Sequence, residues 1–150
     1  MNANKLNQDT VTSAALLAGR ILLATIFLVS GFGKLAQAQG TIGYIASVGL
    51  PAPTLAYAGA VITELGGGLL LIFGFQTRVV AAILASFSLV SAVLFHNGLG
   101  DQNQLFHFLK NIAMAGGLLQ VVAVGAGRFS VDAARKVGAG LTSFSQVAAR

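Results

Sequence analysis

The sequence contains no cysteine, which excludes disulfides, thiolate nucleophiles, thiolate-held iron–sulfur clusters and thiol–quinone exchange from its chemistry. Charge is almost as scarce. Asp, Glu, Lys and Arg make up 9% of the 150 residues, against about 25% in an ordinary soluble domain, too few to cover a water-facing surface. Proline occurs twice and glycine nineteen times. That balance suits packed membrane helices, in which small residues let backbones approach. The nine basic residues give a net charge of +5, yet they are dispersed and make no patch of the kind nucleic acid needs, so no nucleic-acid partner is expected.

What the chain does have is long apolar runs. A bilayer core about 30 Å thick takes roughly 20 apolar residues of helix, and four stretches qualify: 14–35, 54–75, 78–95 and 106–126. The expected fold is therefore all-α, an integral membrane four-helix bundle with the lipid bilayer as its first partner. A short interfacial segment at 36–53 joins the first two spans. The whole divides into an N-terminal segment at 1–13, a membrane domain at 14–127 and a C-terminal tail at 128–150. Leu50-Pro51-Ala52-Pro53 stops the interfacial segment and starts the second span, since proline is tolerated in a first helical turn and not deeper. Gly74-Phe75-Gln76-Thr77-Arg78 is so short a turn that the second and third spans must be antiparallel neighbours.

Basic residues set orientation. Lys5, Arg78, Arg128, Arg135, Lys136 and Arg150 all flank spans on one side, which places both termini in the cytoplasm. A competing reading takes Arg20, the apolar run 21–32 and Ala36-Gln37-Ala38 as a cleavable signal peptide. Lys34, lying between that run and the cleavage site, counts against it.

Charges inside the spans cost about 2.5 to 3.5 kcal/mol each at a helix centre, so each needs a partner or a purpose. Glu64 lies about 15 Å into the second span, near the midplane, and Arg20 about 9 Å into the first. An Arg20–Glu64 ion pair is the leading expected contact. Arg20, Phe27 and Lys34 share a stripe at heptad spacing, and Glu64, Gly67, Gly68 and Leu71 share a face of the second span. The glycines there would bring a helix or a flat ligand close beneath the carboxylate.

His96 and Asn97 close the third span, while His107, Lys110 and Asn111 open the fourth at i, i+3, i+4 spacing on one face. Asn111 is expected to hydrogen-bond across a helix interface and, with Glu64, to form a polar pocket open to the outer leaflet. Haem ligation by the two histidines is disfavoured because both sit at helix ends. No metal site is assigned, because His96, His107 and Asp101 match no ligand spacing. Gly66-Gly67-Gly68 lacks the following Lys-Ser/Thr of a phosphate loop.

Taken in order, Arg20, Ser30-Gly31-x-x-Lys34, Leu50-Pro51, Glu64-x-Gly66-Gly67, Gly74-x-x-Thr77-Arg78, Phe95-His96, Phe108-x-Lys110-Asn111 and Gly116-Gly117 resemble the DoxX family. The likeness is greatest to its small inner-membrane members of the YphA/YqjF type. It runs over about residues 14 to 135, and its specificity lies in the order and spacing of the pieces. The resemblance implies a four-span plasma-membrane protein in a family that includes the small subunit of an archaeal thiosulfate:quinone oxidoreductase and members linked to redox or oxidative-stress complexes. It also implies that Arg20, Lys34, Glu64, His96 and Lys110 occupy the family's recurring charged positions.

Three functions follow as expectations. The first is a membrane subunit that binds a quinone or similar small molecule, with Glu64, Lys110 and His96 as proton relay and quinone contacts and Arg20, Lys34, His107 and Asn111 completing the site. No electron carrier is encoded, so a soluble or membrane oxidoreductase partner would supply electrons. The second is a non-catalytic anchor or assembly component of such a complex. The third is a small proton-coupled permease, against which the lack of broken helices and inverted repeats argues.

Overall fold

The computed structural model describes residues 3–138, so the expectations for Arg150 and the end of the tail lie outside the described residues, as does the side chain of Lys5. Five helices follow in order: α1 (Ala3–Ala36), α2 (Ala38–Ser47), α3 (Pro53–Phe73), α4 (Thr77–Phe95) and α5 (Gln102–Val124). A further helical run covers 131–138. Four of them, α1 from Leu6 onward, α3, α4 and α5, are long and apolar enough to cross a membrane. Their outward faces carry Leu22, Val29, Leu55 and Ile62, all exposed, as expected of surfaces solvated by acyl chains.

The helices differ from the expected spans mainly at their ends, because apolar length and helix length are different quantities. Residues 3–13 contain no proline or glycine to stop a helix, and Thr10 and Ser13 donate their hydroxyls to the carbonyls of Leu6 and Asp9, one turn back. Helix α1 therefore begins at Ala3 rather than near Ala14. At α5 the start moves back to Gln102, where the Asp101 carboxylate accepts from the Gln104 N–H at 2.9 Å, an N-cap that satisfies an otherwise orphaned donor.

The interfacial segment is a real helix, α2, set off from α1 at Gln37 (φ −125°, ψ 48°). It stops at Gly49 (φ 78°), before Pro51, and Pro53 then occupies the first turn of α3. Ile45 is the buried residue of α2.

Helix α1 packs along α3 and α4 along α5, and the two pairs meet chiefly where α3 crosses α4, with α1 only lightly against α5. Close approach at the centre depends on two glycines of α3. A Cβ on Gly68 would stand 2.9 Å from Leu28 of α1, and one on Gly67 would stand 2.9 Å from Leu84 of α4, both closer than carbon atoms pack. The glycines beneath Glu64 thus seat helices on both sides. Fully buried Leu71, Leu84 and Leu118 fill the bundle on the side of the α3–α4 turn.

That end of the bundle overturns the expected Arg20–Glu64 pair. Arg20 is completely buried, and its Nη1 donates to the carbonyls of Leu71 and Ile72 at 3.1 and 3.2 Å, while Nη2 donates to Phe129 at 2.6 Å. Ile72 lies eight residues past Glu64, about 12 Å along the helix axis. The guanidinium is drawn instead to the last carbonyls of α3, which lack intrahelical donors and carry the negative end of the helix dipole.

Gly74, next in sequence, adopts φ 68° and has no room for a Cβ, which would strike the same guanidinium and Ser130. The segment after α5 folds back onto this turn. Asp132 accepts from the Gln76 N–H (2.8 Å), the Thr77 N–H (2.9 Å) and the Thr77 hydroxyl (2.8 Å). Its own N–H donates to Gly74 O at 3.0 Å, and Arg135 lies 5.3 Å over the Phe75 ring.

Candidate functional site

The opposite half of the bundle is hollow. A cavity of about 810 Å³ lies between the α1/α3 and α4/α5 pairs, roofed by Gln37 and by Gly40, Thr41 and Tyr44 of α2. This is within the range of about 300–1,000 Å³ that ligand pockets occupy. Its apolar floor includes Ile26, Phe27, Phe87 and Met114. Val29 and Val90, also in its wall, are exposed on the lipid-facing surface, so the cavity reaches toward the acyl region as well as the bundle end.

One polar wall comes from α1 and α3. Ser30 and Lys34 stand one turn apart on α1, and Lys34 Nζ donates to Ser30 Oγ and to Glu64 Oε1, each at 2.8 Å. Ser30 Oγ donates to the same Oε1 at 3.0 Å. Lys34, not Arg20, is therefore the counter-ion of the midplane carboxylate. Arg20 and Lys34 lie fourteen residues apart on α1, about 21 Å, and only Lys34 is level with Glu64. Glu64 itself is buried, and its Oε2 has no hydrogen-bond partner among the described residues. Such a group normally costs about 1–3 kcal/mol or more when charged, so it stands out as a buried, unsatisfied acceptor in this wall.

The facing polar wall comes from the ends of α4 and α5. His96 and His107 stack with ring centroids 4.9 Å apart and planes at 19°. His96 Nδ1 pairs with Gln104 Oε1 at 3.0 Å. With an amide oxygen as partner, that nitrogen carries the proton and Nε2 is left as an acceptor. Lys110 Nζ donates to His107 Nδ1 at 3.1 Å. Asn111, buried, donates Nδ2 to the His107 carbonyl at 2.9 Å; its bond is made within α5, not across an interface as the sequence suggested. An i−4 carbonyl lies within reach of a short amide side chain and needs no neighbouring helix.

Of the residues singled out from sequence, Lys34, Glu64, His96, His107, Lys110 and Asn111 all line this one cavity, and Arg20 does not. Three contributors were not named as site residues. Ser30 entered only as part of the Ser30-Gly31-x-x-Lys34 motif, although its place one turn before Lys34 could have flagged it. Gln104 lies one turn before His107, a weaker signal. Tyr44 gave none: its hydroxyl donates to Phe95 O at 3.1 Å and its ring lies 5.6 Å from that of Phe95, joining α2 to the end of α4.

Comparison with known proteins identifies the family. The profile of one family, described as DoxX, matches residues 15–97, more than half the chain. The chain belongs to the DoxX family. The match carries Arg20, Lys34, Glu64 and His96 and stops before α5. Two relatives from Escherichia coli (strain K12) extend the DoxX likeness further. Inner membrane protein YqjF is 36% identical over 116 residues, 77% of this chain and 88% of its own, and inner membrane protein YphA is 35% identical over 122 residues, 78% and 87%. A Bacillus subtilis (strain 168) protein provisionally named oxidoreductase CatD is 40% identical over 75 residues, 50% and 54%. No solved structure matches this DoxX protein.

Proposed function

We propose that this DoxX protein is an inner-membrane, redox-associated subunit that binds a quinone or similar small amphiphile in the cavity between its helix pairs. The observation that carries the reading is Glu64: a carboxylate held at mid-membrane by Lys34 and Ser30, with one oxygen left without a partner among the described residues, in the wall of a chamber that has an apolar floor and a second polar wall opposite. Lys110 and His96 on the facing wall supply the donor and acceptor that a carbonyl or hydroxyl oxygen needs, and Glu64 is placed to exchange a proton with it. A flat ring between the walls leaves an isoprenoid tail free to pass beside Val29 and Val90 into lipid. The bound group would supply the redox chemistry, while electrons come from an oxidoreductase partner; the provisional name of CatD points the same way. The two relatives named as inner-membrane proteins and the basic residues Arg78, Arg128, Arg135 and Lys136 at one end favour a plasma-membrane location with both termini cytoplasmic.

A non-catalytic anchor is the second reading, favoured by the exposed Arg128, Arg135 and Lys136 around the folded-back segment, which offer a soluble partner a basic surface. The packed leucines at the far end of the cavity disfavour a through-path for transport.

The test is quinone content. Protein purified in mild detergent should release quinone or quinol on solvent extraction or take up an added short-chain quinol, and Glu64→Gln and Lys110→Ala should each reduce quinol binding at least fivefold. Wild-type binding in both variants would remove the cavity as the site. Capture of a soluble oxidoreductase by a protein that binds no quinone would establish the anchor instead.

A further inference from the structure

The two polar walls differ in what they ask of a ligand. Lys34 Nζ and Ser30 Oγ, the nearby donors, are both committed to Glu64 Oε1 at 2.8 and 3.0 Å. Oε2 is left buried with no partner among the described residues. As the anionic partner of a lysine, Glu64 accepts hydrogen bonds and donates none. A quinone presents only acceptor oxygens to such a group, and two acceptors brought together in a low-dielectric site repel. A hydroquinone or another phenolic hydroxyl brings the missing donor. On the other wall His96 Nε2 is also an acceptor, while the Lys110 ammonium, with N–H groups beyond the one given to His107, can reach the lone pairs of the same hydroxyl oxygens.

We infer that the cavity selects the hydroxyl-bearing, reduced form of its ligand over the oxidised form, because a ligand O–H is what completes the hydrogen bonding of Glu64 Oε2. The inference rests on the quinone-type reading above and sharpens it: the site is one for an aromatic diol or phenol. A site that rejects the partner lacking a needed hydrogen bond discriminates more strongly than one that merely fits shape. Preference for the reduced form also raises the potential of the bound two-electron couple, by about 30 mV for each tenfold. Bound ligand is thereby a better electron acceptor and a poorer donor than the same molecule free in lipid.

The experiment uses the full chain in lipid nanodiscs under anaerobic conditions, titrated calorimetrically with three probes: a short-chain benzoquinone, its hydroquinone, and the dimethyl ether of that hydroquinone. The hydroquinone should bind about tenfold or more tightly than the quinone, and the ether, which keeps the shape but not the donors, should fall to the level of the quinone or below. Glu64→Gln, whose amide can itself donate, should bring the ratio of the two affinities close to one. Equal affinity of wild type for quinone and hydroquinone, or an ether as tight as the hydroquinone, overturns the selectivity while leaving the binding site intact. Failure of all three probes to bind overturns the quinone reading itself. Should Glu64→Gln not purify as a single folded species, the ether comparison on wild type decides the matter alone.

Discussion

Asp132 holds the first turn of α4 from 55 residues away: its carboxylate accepts from the backbone N–H and the hydroxyl of Thr77 at 2.9 and 2.8 Å. An N-cap normally comes from the residue beside the helix. Here Gln76 stands at that position with φ 49° and makes no side-chain cap bond, and the task passes to the folded-back segment.

Removing that cap should loosen the end of the bundle. Asp132→Ala is expected to cost about 1 kcal/mol, the usual loss for an N-cap, read as a lower melting temperature in detergent and faster hydrogen exchange at residues 75–80. Quinone binding should not change, because Asp132 lies outside the cavity lining.

The same contact predicts a pH dependence. Burial alone would push the Asp132 carboxyl up, but hydrogen bonds from the Thr77 N–H, the Thr77 hydroxyl and the Gln76 N–H, with the nearby Arg135 charge, outweigh it and hold the group below its ordinary value. A carboxylate depressed in the folded state contributes stability that is present above the unfolded pKa, about 3.9, and is lost as pH falls through the lower folded value. Protease cleavage within 128–138 should therefore stay slow from pH 7 to about pH 4 and rise below it. Asp132→Asn should show no such rise, and a rise of equal size there would trace the effect to another group.

The Lys34–Glu64 pair should behave as a buried ion pair. Removing one partner leaves an uncompensated charge, so Lys34→Met is expected to cost roughly 3–5 kcal/mol, whereas Lys34→Met with Glu64→Leu should recover most of that loss. Denaturant titration in detergent measures both. A double variant no better than the single one would mean that the pair itself, not the orphaned charge, governs stability.

Arg20 and the cavity separate in a fourth experiment. Arg20→Met strips charge-assisted bonds from the carbonyls of Leu71, Ile72 and Phe129, and at about 1.5–3 kcal/mol for a bond to a charged group it should destabilise the bundle strongly. Ligand affinity of the folded fraction should remain within twofold of wild type. Arg20→Lys should rescue only in part, since an ammonium lacks the planar fork that reaches both elements.

Tyr44 offers a test of access. Its hydroxyl bond to Phe95 ties α2 to the end of α4, and Tyr44→Phe removes about 0.5–1.5 kcal/mol from that closure. The chain has no cysteine of its own, so Met114→Cys is a clean reporter at the cavity floor. Its labelling by a lipophilic maleimide should speed up severalfold with Tyr44→Phe, and an unchanged rate would show that entry does not run beneath α2.

The sequence by itself determined the four membrane-length apolar helices and the helical class, and it singled out the polar residues within them. The reason is that the cost of transferring a side chain into hydrocarbon belongs to the residue and its depth, both countable along a chain. Six of the seven residues it singled out line one cavity, since a shared level on antiparallel helices follows from counting turns. Pairing was another matter. Arg20 and Lys34 share the same stripe of α1, and depth counted along the chain favoured Arg20 as the counter-ion for Glu64. The choice fell to the carbonyls of Leu71 and Ile72, which became available to Arg20 only once α3 lay against α1. Asp132 carried no local signal at all, because its donors are 55 and 56 residues away, and the cavity exists only because two well-packed helix pairs diverge at one end. Hydrogen bonds are directional and short, so their partners are decided by where the folded helices stand.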